Sequence, residues 1–369
     1  MATKSNRLVP FRAIHPGEIL REELRERGIK QRDFAQAIGV KAPHLNEFIK
    51  GKRNLNEDLA LKLEQYLNIS YKTWMDLHHG YVYDNKTVEK RKTEEQDALQ
   101  FESACEERLN LKILYKELEI VLLPRIERVG RLKELFPFDL RSVQEMNSQV
   151  AGLYKHSAKV QIDEKNLQTW LVLNWLQCSK VRIDTPYRRG NGLKAAEEIS
   201  RMANARDLTA RRIQDCLNRN GIAFIHLNKI DKVPVDAYST ILNNHPIVTV
   251  TYRYNDMDKL AFDILHELCH IEKHLSDEQR AFIALEGTLY STDPREKEAN
   301  DFAKQSLIPD RVWSRIMKVG STSLSPHRIV KTIAQEAERL GISPSIAVSR
   351  YKHDTNWYQT SAYKSPKIY

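Results

Sequence analysis

The sequence predicts a mostly helical chain with a small α+β part, arranged as a helix-turn-helix bundle, a helical middle region and a C-terminal domain built around one metal-ligand helix. Three observations predict it. Short helical patterns punctuated by glycine run to about Asp84, charged helical periodicity follows to about residue 190, and β-branched strand-like segments first occur after the turn-prone Arg188-Arg-Gly-Asn-Gly192. The 369 residues suffice for two to three domains, and 41% hydrophobic against 29% charged residues allows real cores. The expected division is 1–84, 85–190 and 191–369.

Apolar runs such as Glu119-Ile-Val-Leu-Leu-Pro end within a few residues, far short of the roughly 18 that a membrane helix needs. Met-Ala-Thr-Lys-Ser-Asn-Arg at the start has no apolar core for export. Cys105, Cys178, Cys216 and Cys269 form no CxxC pair and read as reduced thiols, so a cytoplasmic protein without membrane contact is expected. The net charge of +9 permits a polyanionic partner.

In the first block, Gly17 to Arg27 places Ile19, Leu20 and Leu24 at helical spacing and stops at Gly28. Gln31 to Ile38 is stopped by Gly39, and Ala42 to Lys50 by Gly51. Asn56 reads as the N-cap of a helix opening with Glu57 and Asp58, whose charges suit the helix dipole. Tyr71 to Leu77, with Trp74, adds a fifth short helix.

Lys86 to Arg108 is polar enough to be an exposed helix. Leu109 to Phe136 carries Leu111, Leu114, Leu118, Val121, Leu122, Val129, Leu132 and Leu135 as an amphipathic pair interrupted at Pro124. Asp163 to Val181 is a further helix. Gly192 to Arg219 reads as one or two helices, and 221–227 and 246–252 as strands. Helices are then expected at about 257–275, 294–307, 326–340 and 343–351.

Gln31 to Lys50 has the pattern of two short helices joined by a tight glycine turn. Phe34, Ala35, Ile38, Val40, Leu45 and Ile49 are its buried set. Lys41, His44, Asn46 and Glu47 would face a DNA major groove, with Gln31, Lys50, Lys52 and Arg53 set to meet phosphates. Residues 1–85 carry 14 Lys/Arg against 11 Asp/Glu, but Lys41 to Arg53 alone holds four bases and one acid, which is the local charge such a face needs. The segments His15-Pro-Gly-Glu-Ile-Leu-Arg-Glu-Glu-Leu, Gln31-Arg-Asp-Phe-Ala, Gly39-Val, Gly51-Lys-Arg, Leu59-Ala-Leu-Lys-Leu and Trp74-Met-Asp-Leu resemble the HigA branch of the Cro/repressor-type helix-turn-helix family. The resemblance implies an operator-binding antitoxin or regulator acting on double-stranded DNA as a homodimer.

His266-Glu-Leu-Cys-His270 is the sharpest chemical signal. Positions i and i+4 share one helix face, so both imidazoles can bind one Zn²⁺, with Glu267 placed as the general base toward the attacking water. Leu260, Ala261, Ile264, Leu265, Leu268 and Ile271 give that helix an apolar face, and Cys269 points off the ligand face. Three residues compete as third ligand. His274 lies about 12 Å along the axis from His266 and reads as a supporting or surface residue. Glu296 has Asn300 at i+4, an amide able to orient a ligand. Glu298 points about 200° from Glu296 and reads as a solvated charge. Glu296 is chosen.

Asn220-Gly-Ile-Ala, Pro246-Ile-Val-Thr-Val, Phe262-Asp-Ile-Leu-His-Glu-Leu-Cys-His, Glu296-Lys-Glu-Ala-Asn-Asp-Phe-Ala and Leu307-Ile-Pro together resemble the ImmA/IrrE zinc metallopeptidases. That resemblance implies a zincin-like metallopeptidase domain with Glu296 as third ligand. Ile342 to His353 is similar to the C-terminal signature of proteins that fuse the two domains, and Leu153-Tyr-Lys-His with Leu167 to Trp175 to their middle region. The expected activity is zinc-dependent cleavage of a protein partner: a repressor, a toxin or the chain itself. The alternative is an antitoxin-like repressor whose zinc domain binds a toxin or senses a signal without turnover. Tyr351 and His353 are the side chains considered as oxyanion partners. The stretch from Arg311 to Tyr369, with ten Lys/Arg against three Asp/Glu, reads as a solvated basic surface.

Overall fold

The computed structural model describes residues 10–136, 162–242, 245–251, 256–275, 281–285, 294–320, 325–359 and 363–367. The Leu153-Tyr-Lys-His stretch lies outside the described residues. The chain forms two compact units, residues 1–103 with 124–129, and residues 104–123 with 130–369.

The first unit is helical. Helices α1 (Pro16–Glu26), α2 (Gln31–Ala37), α3 (Ala42–Ile49) and α4 (Glu57–Leu67) precede the long α5 (Tyr71–Glu106). Gly39 turns α2 into α3 at φ 65°, a conformation that costs a residue with a Cβ about 1 kcal/mol or more. Asn56 caps α4 by accepting from the Leu59 amide at 3.0 Å. The core is Leu20, Phe34, Leu45, Phe48, Leu63, Leu67 and Trp74, with Ala35 where α3 approaches. Of the expected buried set only Val40 is partly exposed.

α5 differs from expectation. A short turn to Leu77 and a separate helix from Lys86 are instead one helix of 36 residues. No proline or cap lies between them, and a lone Gly80 costs a helix only about 1 kcal/mol. The compositional boundary at residue 84 therefore falls inside a continuous element.

In the second unit, Asn110 caps α6 (Leu111–Glu117) through the Ile113 amide. α6 ends at Glu117, Glu119 follows it at φ 58°, and Pro124 directly precedes α7 (Arg125–Leu135). The helix break is thus earlier than Pro124, and the expected apolar stripe loses Val121 and Leu122, which are 52% and 98% exposed. Asn110 also donates to Asn166 of α8 (Glu164–Lys180) at 2.8 Å, which ties α6 to it.

Beyond residue 190 come α9 (Asn191–Asn204) and α10 (Ala210–Arg219), then a four-stranded sheet. Strands β1 (Ala223–His226), β2 (Val235–Leu242), β3 (His245–Val250) and β4 (Ala281–Leu285) stand in the order β1-β3-β2-β4. β1 pairs parallel with β3, and β2 runs antiparallel to both β3 and β4. Against the sheet lies α11 (Met257–Cys269), closed by a π-helical turn over His270–His274. α12 (Pro294–Leu307), α13 (Asp310–Gly320), α14 (Pro326–Arg339) and α15 (Pro344–Thr355) follow.

The apolar face expected on the HExxH helix is buried: Leu260, Ala261, Ile264, Leu265, Leu268 and Ile271 pack with Ile199 of α9, Val248 of β3 and Ala303 of α12. This packing carries the ligand histidines on a rigid helix. β2, β4 and α13 were not foreseen. Asp236 and Ser239 break the strand pattern of β2, β4 is a five-residue apolar run too short to type, and α13 lies within the stretch read as a basic tail.

Candidate metal centre and helix-turn-helix face

The last turn of α11 presents His266, the following π turn presents His270, and the first turn of α12 presents Glu296. Their Nε2, Nε2 and carboxylate atoms face one point. His266 Nε2 lies 3.0 Å from His270 Nε2 and 3.2 Å from Glu296 Oε2, and His270 Nε2 lies 3.5 Å from Glu296 Oε1. Two donors each about 2.05 Å from a tetrahedral ion stand about 3.3 Å apart. The three edges bracket that value. Among the described residues this is the group of three whose ligand atoms all lie within 4.8 Å of one another.

Each imidazole is oriented from its far side. His266 Nδ1 meets Asn300 Oδ1 at 3.1 Å. His270 Nδ1 meets His274 Nδ1 at 2.9 Å, and His274 Nε2 meets Glu298 Oε2 at 3.1 Å. His274 therefore does not join the three ligand atoms but stands behind one of them. Glu298, read from sequence as a solvated charge, is half exposed yet also takes Lys273 at 2.6 Å. Those two hydrogen bonds hold its carboxyl below the usual range. Its role could have been suspected from His274, a histidine at the end of the turn that carries His270 and in need of an acceptor.

Glu267 is fully buried, and neither carboxylate oxygen has a partner at hydrogen-bond geometry. Burial pushes it up to about 8, against the lowering influence of His266 and the nearby Ser239 hydroxyl. An orphaned buried carboxylate costs several kcal/mol unless something polar satisfies it, and a water at the centre would do so. Burial pushes His270 down to about 2. For His266 burial acts in the same direction, but Glu296, Glu267 and Asp263 outweigh it and its pKa lies above the ordinary value. The residues present fit a divalent zinc ion by their donor set, two imidazole nitrogens and one carboxylate whose atoms converge.

Sequence reasoning missed Glu272. On the π turn, its carboxylate accepts from the Gly190 and Gly192 amides at 2.9 and 2.6 Å and from the Tyr187 hydroxyl at 2.7 Å. A Cβ at position 192 would lie 2.7 Å from that side chain, so glycine is required for the contact. Cys269 is buried, and burial pushes its thiol up to about 12, the behaviour of a packing residue. Tyr351 is buried beside Trp357, and His353 is exposed beside Asp354.

In the other unit, Gln31 opens α2, Lys41 precedes α3, and His44 and Asn46 lie on α3 with Lys50, Lys52 and Arg53 just beyond it. Lys41, His44, Lys50, Lys52 and Arg53 are exposed, while Gln31 and Asn46 are partly so. Arg53 reaches Glu47 at 3.7 Å, a loose pair that leaves its charge available. Beneath this face His15 caps α1, accepting from the Gly17 amide at 2.9 Å, and burial with the neighbouring His78 lowers its pKa.

Comparison with known proteins matches residues 20–74 to the helix-turn-helix family model and residues 222–352 to the IrrE N-terminal-like domain, a peptidase family. The chain is 37% identical over 81 residues to Virulence-associated protein I of Dichelobacter nodosus, covering 22% of this chain and 73% of that protein. It is 29% identical over 66 residues to the HTH-type transcriptional regulator YddM of Escherichia coli, covering 18% of this chain and 70% of that protein. Among solved structures, the Pseudomonas aeruginosa antitoxin HigA with the higBA promoter is 36% identical, covering 22% of this chain and 90% of that one, with a TM-score of 0.21. A HigA-family antidote protein from Coxiella burnetii is 27% identical, covering 23% and 94%, also with a TM-score of 0.21. The chain belongs to the helix-turn-helix family through its N-terminal bundle, and its C-terminal unit carries an IrrE N-terminal-like peptidase domain.

Proposed function

We propose that this protein is a cytoplasmic DNA-binding regulator of HigA type whose C-terminal domain is a zinc-dependent endopeptidase acting on a protein partner: a repressor, a toxin or the chain itself. The organisation that goes with it has residues 1–84 on DNA, 191–369 around the metal and 85–190 joining them. The convergence of His266, His270 and Glu296 beside the buried, unpartnered carboxylate of Glu267 carries the enzymatic half. The exposed basic residues on and after α3, together with likeness to a transcriptional regulator, support the DNA half.

His266, His270 and Glu296 would hold Zn²⁺, which when bound supplies a Lewis acid for the scissile carbonyl. Glu267 accepts a proton from water on one carboxylate oxygen and returns it to the departing amine. The burial that raises its pKa makes that carboxylate a stronger base than an exposed glutamate. Asn300 holds His266 in the tautomer with its Nε2 lone pair free. On an operator, Gln31, Lys50, Lys52 and Arg53 meet phosphates, and Lys41, His44, Asn46 and Glu47 meet base edges; a homodimer on a palindromic site is the assembly this geometry suits.

The test is metal content by elemental analysis of the full, untagged chain beside Glu296→Ala and Glu267→Gln. About one zinc per chain in the parent and in Glu267→Gln, lost in Glu296→Ala, is the expected result. Glu267→Gln then stops cleavage while leaving operator binding intact. A parent that takes up no zinc after refeeding overturns the peptidase and leaves a regulator whose C-terminal domain serves only as a binding surface.

A further inference from the structure

We propose that His274 and Glu298 form a positioning relay behind the metal centre, fixing the tautomer and ring orientation of His270 so that its Nε2 lone pair points at the ion. The inference rests on the metal reading above and deepens it.

Proton counting assigns the hydrogens along this chain of contacts. Only one proton can lie between His270 Nδ1 and His274 Nδ1, which are 2.9 Å apart. The Glu298 carboxylate is paired with Lys273 and can only accept, so His274 Nε2 must donate to it across the 3.1 Å contact. A neutral imidazole has a single N–H, so His274 Nδ1 is left as an acceptor. His270 Nδ1 must then be the donor, and His270 Nε2 carries a lone pair. On the other ligand the Asn300 amide oxygen imposes the same tautomer on His266 by a different group. Two unrelated acceptors thus converge on one result, which packing alone would not require.

The π turn keeps the relay in place. Its Leu275 amide donates to the His270 carbonyl at 2.8 Å, and the Glu272 carboxylate pins its opposite side to the Gly190 and Gly192 amides. The His270 and His274 rings stand 4.9 Å apart between centroids, and the His274 side chain is only 6% exposed. His274 therefore acts through His270 and touches no ligand position itself.

The experiment compares the full chain with His274→Phe, which keeps an aromatic ring but cannot accept, His274→Asn, whose Oδ1 can accept from His270 Nδ1, and Glu298→Ala at an exposed position. Zinc dissociation constants come from chelator competition, and the His270 tautomer of the metal-free proteins from ¹⁵N chemical shifts. We expect zinc affinity to fall about 10–100-fold in His274→Phe and about 3–10-fold in Glu298→Ala, with recovery to within about threefold in His274→Asn. The Nδ1–H tautomer of His270 dominates in the parent and in His274→Asn and is lost in His274→Phe. Parent-like affinity and tautomer in His274→Phe overturn the relay, as does His274→Asn binding as weakly as His274→Phe. If His274→Phe fails to fold, Glu298→Ala and His274→Asn decide by the same two readouts. If the parent binds no zinc the metal reading falls, while the tautomer comparison still upholds or overturns the relay.

Discussion

The two functional regions of this molecule hold their working residues in opposite ways. On the helix-turn-helix face the candidate residues are exposed charges and amides on a scaffold whose stability comes from Leu45, Phe48, Leu63 and Trp74 beneath. At the metal centre His266, Glu267, His270 and Glu296 are themselves buried, each at 8% exposure or less. Exposed residues read a partner through charge and can change without disturbing the fold. Buried polar residues are costly unless each is satisfied, so function and stability there depend on the same contacts.

The largest effect that sharpens this contrast is metal removal. Chelation from the zinc-loaded protein should destabilise the region from Met257 to Leu307 by about 4 kcal/mol when zinc stands a thousandfold above its dissociation constant, and leave α1 to α4 unaffected. Hydrogen exchange read by mass spectrometry before and after chelation checks it; equal deprotection of both regions would break the comparison.

Glu267→Gln in the metal-free protein comes next. The folded pKa of about 8 lies above the ordinary 4.5, so the folded state holds its proton more tightly than the unfolded one. The parent therefore loses stability as pH rises from 4.5 to 8, by of order 5 kcal/mol in full, and the cost is absent at low pH. The glutamine variant lacks this slope. Its thermal midpoint should exceed the parent's at pH 8 and converge with it near pH 5.

Leu45→Ala should cost about 3 kcal/mol, read by denaturant unfolding, because a fully buried side chain leaves a cavity between α3 and its neighbours. The loss should be the same with and without zinc. The smallest stability effect is expected at the exposed charges. Lys50→Ala and Arg53→Ala should shift the unfolding free energy by less than about 0.5 kcal/mol, yet each should lower the slope of log affinity against log salt for an operator duplex by about one. A slope that stays unchanged would remove these residues from the phosphate contacts.

How much of this was legible differs between the regions for the same physical reason. The helix-turn-helix is built from local signals: glycine stops, an Asn56 cap, and apolar positions at helical spacing. Leu20, Leu24, Phe34, Ala35, Ile38, Leu45 and Ile49 could be named from spacing, Ile19 and Val40 end partly exposed, and Leu55 and Leu67 join the core without having been named. The metal centre was legible where its spacing is local, at His266 and His270 on one helix, and where Asn300 shares a face with Glu296. It was not legible where the partner comes from another element. Glu298 looked like a surface charge because helix geometry turns it away from Glu296, but that direction is where His274 and Lys273 stand. Glu272 looked like one more charge until its amide partners before α9 were known. β2 and β4 escaped because strand pairing, not their own sequence, stabilises them.

The sequence by itself determined α1 to α4 of the helix-turn-helix bundle, the HExxH helix and its apolar face, and the candidate ligand types, since all of these follow from spacing along one chain segment. The tertiary structure alone decided that α5 runs unbroken, that Glu267 is buried without a partner, and that His270 is backed by His274 and Glu298. Those features depend on which groups water is excluded from and which distant atoms meet there, and short-range periodicity carries no record of either.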